Sequence, residues 1–203
     1  MSADALRVAQ RLAAGTDPAL ASCRAGATFV PSADGSGRFE LPFVGARAIV
    51  TWPALEPSLA DAALPPHVAA LLVYYLGMAA DIEPTGQWIS FAELPNGSVY
   101  VQAFQGYTGA SLVRRFAENP AALAVSAHGL GGQPLPGTAD RAWSFAALPK
   151  VPVAVLWWDA DEEFPARAEL LFDTTASCHL PTDGCAVLGS WLTQMLIRTA
   201  SAE

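Results

Sequence analysis

Four acids stand within five positions in Asp159-Ala160-Asp161-Glu162-Glu163, directly after the apolar run Val151 to Trp158. Carboxylates crowded at the end of a buried strand repel one another, which raises their pKa values unless a nearby cation relieves them. Such a group can hold a hard divalent cation or exchange protons with a substrate. Asp159 and Asp161 are two apart, so the strand must bend before they face the same ligand as their neighbours. The same charges also read as a solvated hairpin corner, kept soluble and guarded against edge pairing.

Other residues offer chemistry of narrower scope. Asp173 ends the next apolar segment, where it lies near the corner or at the opposite end of a hairpin, and in Asp173-Thr174-Thr175 it can form an Asx-type turn. Cys178-His179 and Cys185 do not have the paired spacing of a tetrahedral zinc site. His128 precedes Gly129-Leu130-Gly131-Gly132, which matches neither a dinucleotide fingerprint nor a P-loop, although a glycine loop can cradle an anion as well as simply turn. Gln105-Gly106-Tyr107 offers hydrogen-bonding groups, and Arg114 and Arg115 offer cations that face either the acidic corner or an anionic ligand. The candidate ligand-binding set is therefore Asp159, Asp161, Glu162, Glu163, Asp173, His128, Gln105, Tyr107 and Arg114. It implies a pocket between the glycine loop, the 105–107 segment and the corner. No catalytic residue, metal-ligand set or cofactor is identified.

The elements that must position these residues are legible in part. Residues 4–14 predict a short amphipathic helix stopped by Gly15, and residues 29–53 predict an antiparallel ribbon turned at Asp34-Gly35-Ser36-Gly37. Pro65-Pro66 opens an apolar helix to Ala80 with a core stripe of Val68, Leu71, Leu72, Tyr75 and Leu76. Trp88 to Phe91 and Ser98 to Phe104 flank Pro95-Asn96-Gly97, and Asn-Gly between strand-like runs predicts a hairpin. Ser111 is the expected N-cap of a helix carrying Leu112, Val113 and Phe116, and Asn119-Pro120 interrupts it before a second short helix to Ala127. Val151 to Trp158 reads as a strand covered on both faces, with Ala168 to Phe172 as the next strand. Thr182 is the expected cap of a closing helix whose stripe is Val187, Leu188, Trp191, Leu192, Met195 and Leu196. The fold class is α+β: one domain over 1–203, with a mainly antiparallel or mixed sheet and packed helices.

Composition excludes several functions. Of 203 residues, 52% are hydrophobic and 15% charged, enough apolar surface for a core of its own. Nineteen acids against 11 bases give a formal charge of −8, which argues against nucleic acid as a partner. The longest apolar run, Val68 to Ala80, is too short for a bilayer, which takes roughly 20 residues. Three cysteines and no visible signal peptide lead to an expectation of reduced thiols and a cytoplasmic location.

Gly86 to Pro95, Phe104-Gln105-Gly106, Leu130-Gly131-Gly132, and above all Leu148-Pro149-Lys150-Val151-Pro152 leading through Asp159 to Pro165 and Leu171-Phe172-Asp173, resemble the bacterial and archaeal domain of unknown function 3786. The resemblance covers roughly residues 68–197, and its specific part runs from Leu148 to Asp173. It implies an accessory role in anaerobic redox or corrinoid one-carbon metabolism, because similar proteins stand alone or joined to iron–sulfur-cluster domains. This chain lacks a four-cysteine cluster motif, so the implied partner is a separate iron–sulfur or corrinoid protein. The family offers no catalytic residues to carry over, but its recurring acidic segment matches Asp159, Asp161, Glu162, Glu163, Phe164 and Pro165. The expected function is a small-molecule- or cofactor-binding accessory protein, with a carboxylate-dependent enzyme, metal-assisted or not, as the alternative.

Overall fold

Strands form where turns and alternation dominate the sequence. In the computed structural model, which describes residues 3–59 and 62–201, helices α1 (Ala3–Ala13) and α2 (Pro18–Ala25) lead into the first sheet. That sheet holds β1 (Thr28–Pro31), β2 (Gly37–Phe43), β3 (Ala46–Trp52), β4 (Pro57–Leu59) and β5 (Ala62–Ala63) as an antiparallel meander in chain order. The expected ribbon over 29–53 makes its first three strands. Helix α2 goes beyond the sequence expectations, yet its signals are local: Asp17 accepts from the Leu20 N–H, Pro18 fills the first position, and Gly26 ends the helix at φ 60°.

Helix α3 (Pro66–Met78) follows, then β6 (Trp88–Ser90), α4 (Gly97–Tyr107), α5 (Gly109–Phe116), α6 (Pro120–Gly129), β7 (Gln133–Pro134), β8 (Arg141–Leu148), β9 (Val151–Trp158), β10 (Arg167–Asp173) and α7 (Thr182–Thr199). The second sheet is antiparallel throughout, in the order β6-β10-β9-β8-β7, so the most apolar strand is central. One face of β9, with Val151, Val153, Val155 and Trp157, enters the main core. On the other face Ala154 and Leu156 are buried with Ala142 beneath Trp88, Leu135, Trp158 and Leu171. That is why the strand carries almost no polar alternation.

The main core spans both sheets and the helices, as expected of one α+β domain. Helix α3 is apolar on every side and lies inside it, with Val68, Leu71, Leu72, Tyr75 and Leu76 all buried. Helix α7 closes the core against α3, α4, α5 and α6, burying Leu188, Trp191, Leu192 and Leu196. No helix among the described residues is long and apolar enough to cross a membrane.

Three local expectations fail. Asn96-Gly97 does not turn a hairpin; it starts α4, with Asn96 at φ 60° and Gly97 so close to the chain that a Cβ would lie 1.9 Å from the Phe91 carbonyl oxygen. The helix wins because it drives Phe104 into the core, stacked 4.1 Å from Phe91 and tilted against Phe172, whereas β6 already pairs with β10. Ser111 does not cap α5, which begins two residues earlier, after the buried Thr108. Thr182 is the first residue of α7 and not its cap, because its hydroxyl donates to the Pro95 carbonyl at 2.6 Å and joins the starts of α7 and α4.

Candidate functional site

The acidic corner joins β9 to β10, where Trp158 stands opposite Arg167. One carboxylate oxygen of Asp159 accepts from Arg141 Nη2 and the other from Trp157 Nε1, both at 2.8 Å. The Asp159 N–H donates to Asp140 at 2.9 Å. Asp161 Oδ1 accepts from the N–H groups of Glu163 (2.8 Å) and Phe164 (2.7 Å), closing the turn. For Asp159 and Asp161 these partners supply the relief on which the expectation of raised pKa values was conditional. The Arg141 and Trp157 hydrogen bonds hold Asp159 below the usual carboxylate range, and the Phe164 and Glu163 N–H groups do the same for Asp161. The relieving cation is Arg141, not Arg114 or Arg115. Glu162 and Glu163 are exposed. An open cleft of about 660 Å³ lies beside the corner, with Asp140, Trp158, Asp159, Asp161, Phe164 and Arg167 on its walls. There the Arg167 guanidinium sits 4.2 Å over the Trp158 ring and pairs with Glu169.

The hairpin carries Asp173 to the opposite end of the sheet. Its buried carboxylate accepts from the Thr175 N–H (2.9 Å) and hydroxyl (2.8 Å), the Thr85 N–H and hydroxyl (both 3.2 Å), and the Gly86 N–H (2.7 Å). Burial opposes its charge, but the bonds from Thr175, Thr85 and Gly86 outweigh that and hold the pKa low. Asp173 thus forms its Asx turn and also clamps the loop before β6. Beside it, Lys150, the sole lysine, is buried in the β8–β9 turn with its ammonium on Glu83. The Lys150 N–H donates to Tyr75 Oη at 3.0 Å, and that hydroxyl donates to the Ala25 carbonyl at 2.7 Å. His179 is fully buried, and both of its ring nitrogens lack a partner among the described residues. Burial first, and the charge of Lys150 second, push its pKa down; Asp173 and Glu83 pull the other way.

The remaining candidates separate. Gln105 Nε2 donates to the Ala168 carbonyl at 2.8 Å and fastens α4 to β10. Arg114 is exposed on α5, and its neighbour Arg115 donates to the Ala200 carbonyl at 3.0 Å. His128 is exposed in the last turn of α6. The glycine loop ends that helix: the Gly131 and Gly132 N–H groups donate to the His128 (2.9 Å) and Ala127 (2.8 Å) carbonyls, so they are not free to cradle an anion. Of the three cysteines Cys23 and Cys178 are exposed and Cys185 is buried, its thiol pushed up to about 12 by burial and then by Asp183. No group of three or more His, Cys, Asp or Glu among the described residues is placed to hold a metal ion.

Tyr107 lines a different concavity from the acidic corner. A groove of about 720 Å³ runs between Tyr100, Ala103 and Tyr107 of α4 and Leu180, Asp183 and Ala186 around the start of α7, with Phe91 in its wall. Helix α4 carries no charged residue, and Val99, Tyr100 and Tyr107 are 73%, 63% and 42% exposed. The spacing 100, 103, 107 puts these side chains on one helix face. That periodicity was the available signal for the groove, and the strand reading of Ser98 to Phe104 obscured it.

Against known families, residues 17–195 match the model described as Domain of unknown function (DUF3786), and the chain belongs to that family. The match begins at the cap of α2 and so includes the first sheet, all of which lies outside the 68–197 span of the resemblance. Comparison with curated proteins and with solved structures returned no match.

Proposed function

We propose that this protein is a small-molecule-binding module whose ligand lies in the groove between α4 and the start of α7. The observation that carries this reading is the groove itself, whose volume of about 720 Å³ falls in the range of small-molecule sites, roughly 300–1,000 Å³. Its walls are mainly apolar and aromatic, with a few polar residues, Asn96, Ser177, Thr182 and Asp183, among the lining. The carboxylate-dependent alternative has less support, because both oxygens of Asp159 and one of Asp161 are engaged within the corner. What the family resemblance adds is a setting: a cytoplasmic accessory to an iron–sulfur or corrinoid protein, which anaerobic co-purification and absorbance spectra of the complex would test.

The groove is tested by filling it. Ala103 is exposed on the helix face that forms the wall, so Ala103→Trp adds bulk there without entering the core. A ligand-observed NMR screen of small aromatic fragments is expected to give hits with the wild type that vanish in Ala103→Trp at unchanged Tm. Hits that persist in the variant would place binding elsewhere.

A further inference from the structure

We infer that the groove selects a small organic cation, an aromatic amine or quaternary ammonium compound, an inference that rests on the groove being the binding site. Three aromatic side chains, Phe91, Tyr100 and Tyr107, stand on its walls, and Asp183 is the one charged residue among those lining it. No Lys, Arg or His is among the lining residues described. Aromatic faces attract cations through their quadrupole, and the attraction grows as the site excludes water. An anion would meet the Asp183 carboxylate with no cationic side chain in the lining to offset it, only the N-terminal end of α7, whose first turn already carries that carboxylate.

The electrostatic character is built into the packing. Asp183 Oδ1 accepts from the Gly184 N–H at 3.0 Å, which fixes the carboxylate at the first turn of α7; Oδ2 has no partner among the described residues. Glu93, a nearby acid in sequence, is turned away, with its carboxylate accepting from the Ser90 N–H (2.7 Å) and hydroxyl (2.8 Å). The buried Phe104 orients two of the three rings: Phe91 stacks on it at 4.1 Å, and Tyr107 meets it edge-on at 5.7 Å. Phe91 and Tyr107 are thereby held in place before a ligand arrives, which reduces the entropy lost on binding. Burial also pushes the Tyr107 phenol up, further from ionisation. A chain of net charge −8 draws cations toward it in general, and the groove adds a local reason.

Three probes of nearly equal shape test this: 4-hydroxyphenyltrimethylammonium, its neutral isostere 4-tert-butylphenol, and 4-hydroxybenzenesulfonate. Each is titrated by NMR in amine-free phosphate buffer at low salt. The cation is expected to bind about tenfold more tightly than the neutral isostere, with the sulfonate weakest. Asp183→Asn keeps the acceptor for the Gly184 N–H and should bring cation and isostere to within about twofold of each other. Tyr100→Leu, at an exposed position, should weaken the cation more than the isostere. If 4-tert-butylphenol binds as tightly as the cation, or the sulfonate more tightly, the preference for cations is wrong while the groove remains a site. If none of the three binds, the groove reading falls as well.

Discussion

The two ends of β9 and β10 treat carboxylates in opposite ways. At one end Asp159 and Asp161 sit at the surface, relieved by Arg141, the Trp157 indole and the N–H groups of their own turn. At the other end, one strand length or about 20 Å away, Asp173 is wholly buried and answered by five donors from two segments. The dense charge at the first end orders its own turn and the adjoining start of β8. The single acid at the second orders the loop before β6, beside the Lys150–Glu83 pair and His179. The number of acids in a segment is therefore a poor measure of what they do; desolvation and the reach of their partners decide it.

The largest effect should come from the buried end. Asp173→Ala leaves the N–H groups of Thr85, Gly86 and Thr175 without their acceptor, and is expected to cost at least about 3 kcal/mol in urea denaturation. A loss under about 1 kcal/mol would mean that the clamp is dispensable and the contrast between the two ends is false.

The pH response comes next. Because the folded pKa of Asp173 is depressed, its stabilisation is present above the unfolded value of about 3.9 and is lost as pH falls below it. His179 is also depressed, and for a histidine the sign reverses. Below the unfolded pKa of about 6.5 the unfolded chain takes up a proton that the buried ring refuses, so stability falls as pH drops from about 7 until the folded pKa is reached. His179→Phe should reduce that slope, leaving the part due to His67, whose pKa burial also lowers, and at pH 7 should leave stability equal or higher, since it removes two nitrogens without partners. Urea midpoints from pH 7.5 to 5 for both proteins test this, and an unchanged slope in the variant would remove His179 from the account.

The smallest effects belong to the corner. Asp159→Asn is expected to cost under about 1 kcal/mol, because the Arg141–Asp159 pair is partly exposed on both sides. Glu162→Gln with Glu163→Gln should leave the urea midpoint unchanged. A larger loss at the corner than at Asp173 would invert the comparison.

Several elements were legible because their signals are local. The proline opening α3, the Asn119 cap and Pro120 start of α6, the helical stripe of α7 and the central apolar strand all follow from short-range sterics, capping and burial periodicity. The site was legible only in pieces. Tyr107 was singled out, but its partners Tyr100, Phe91 and Asp183 were not, because Asn96-Gly97 beside Val99 and Val101 favours a strand locally and Phe104 had to find Phe91 and Phe172 before the helix could prevail.

What the sequence determined by itself is the α+β class, the net negative charge, several segments such as α3, α6, β9 and β10, and the membership implied by the 148–173 segment. Only the tertiary structure decided which acid is buried, which arginine relieves the corner, and that α4 and α7 enclose a groove. Those outcomes depend on residues 18 to 88 positions apart in the chain, such as Arg141 with Asp159 and Thr85 with Asp173. Burial and partner choice are settled only when the core brings such residues together, and no local pattern encodes that distance.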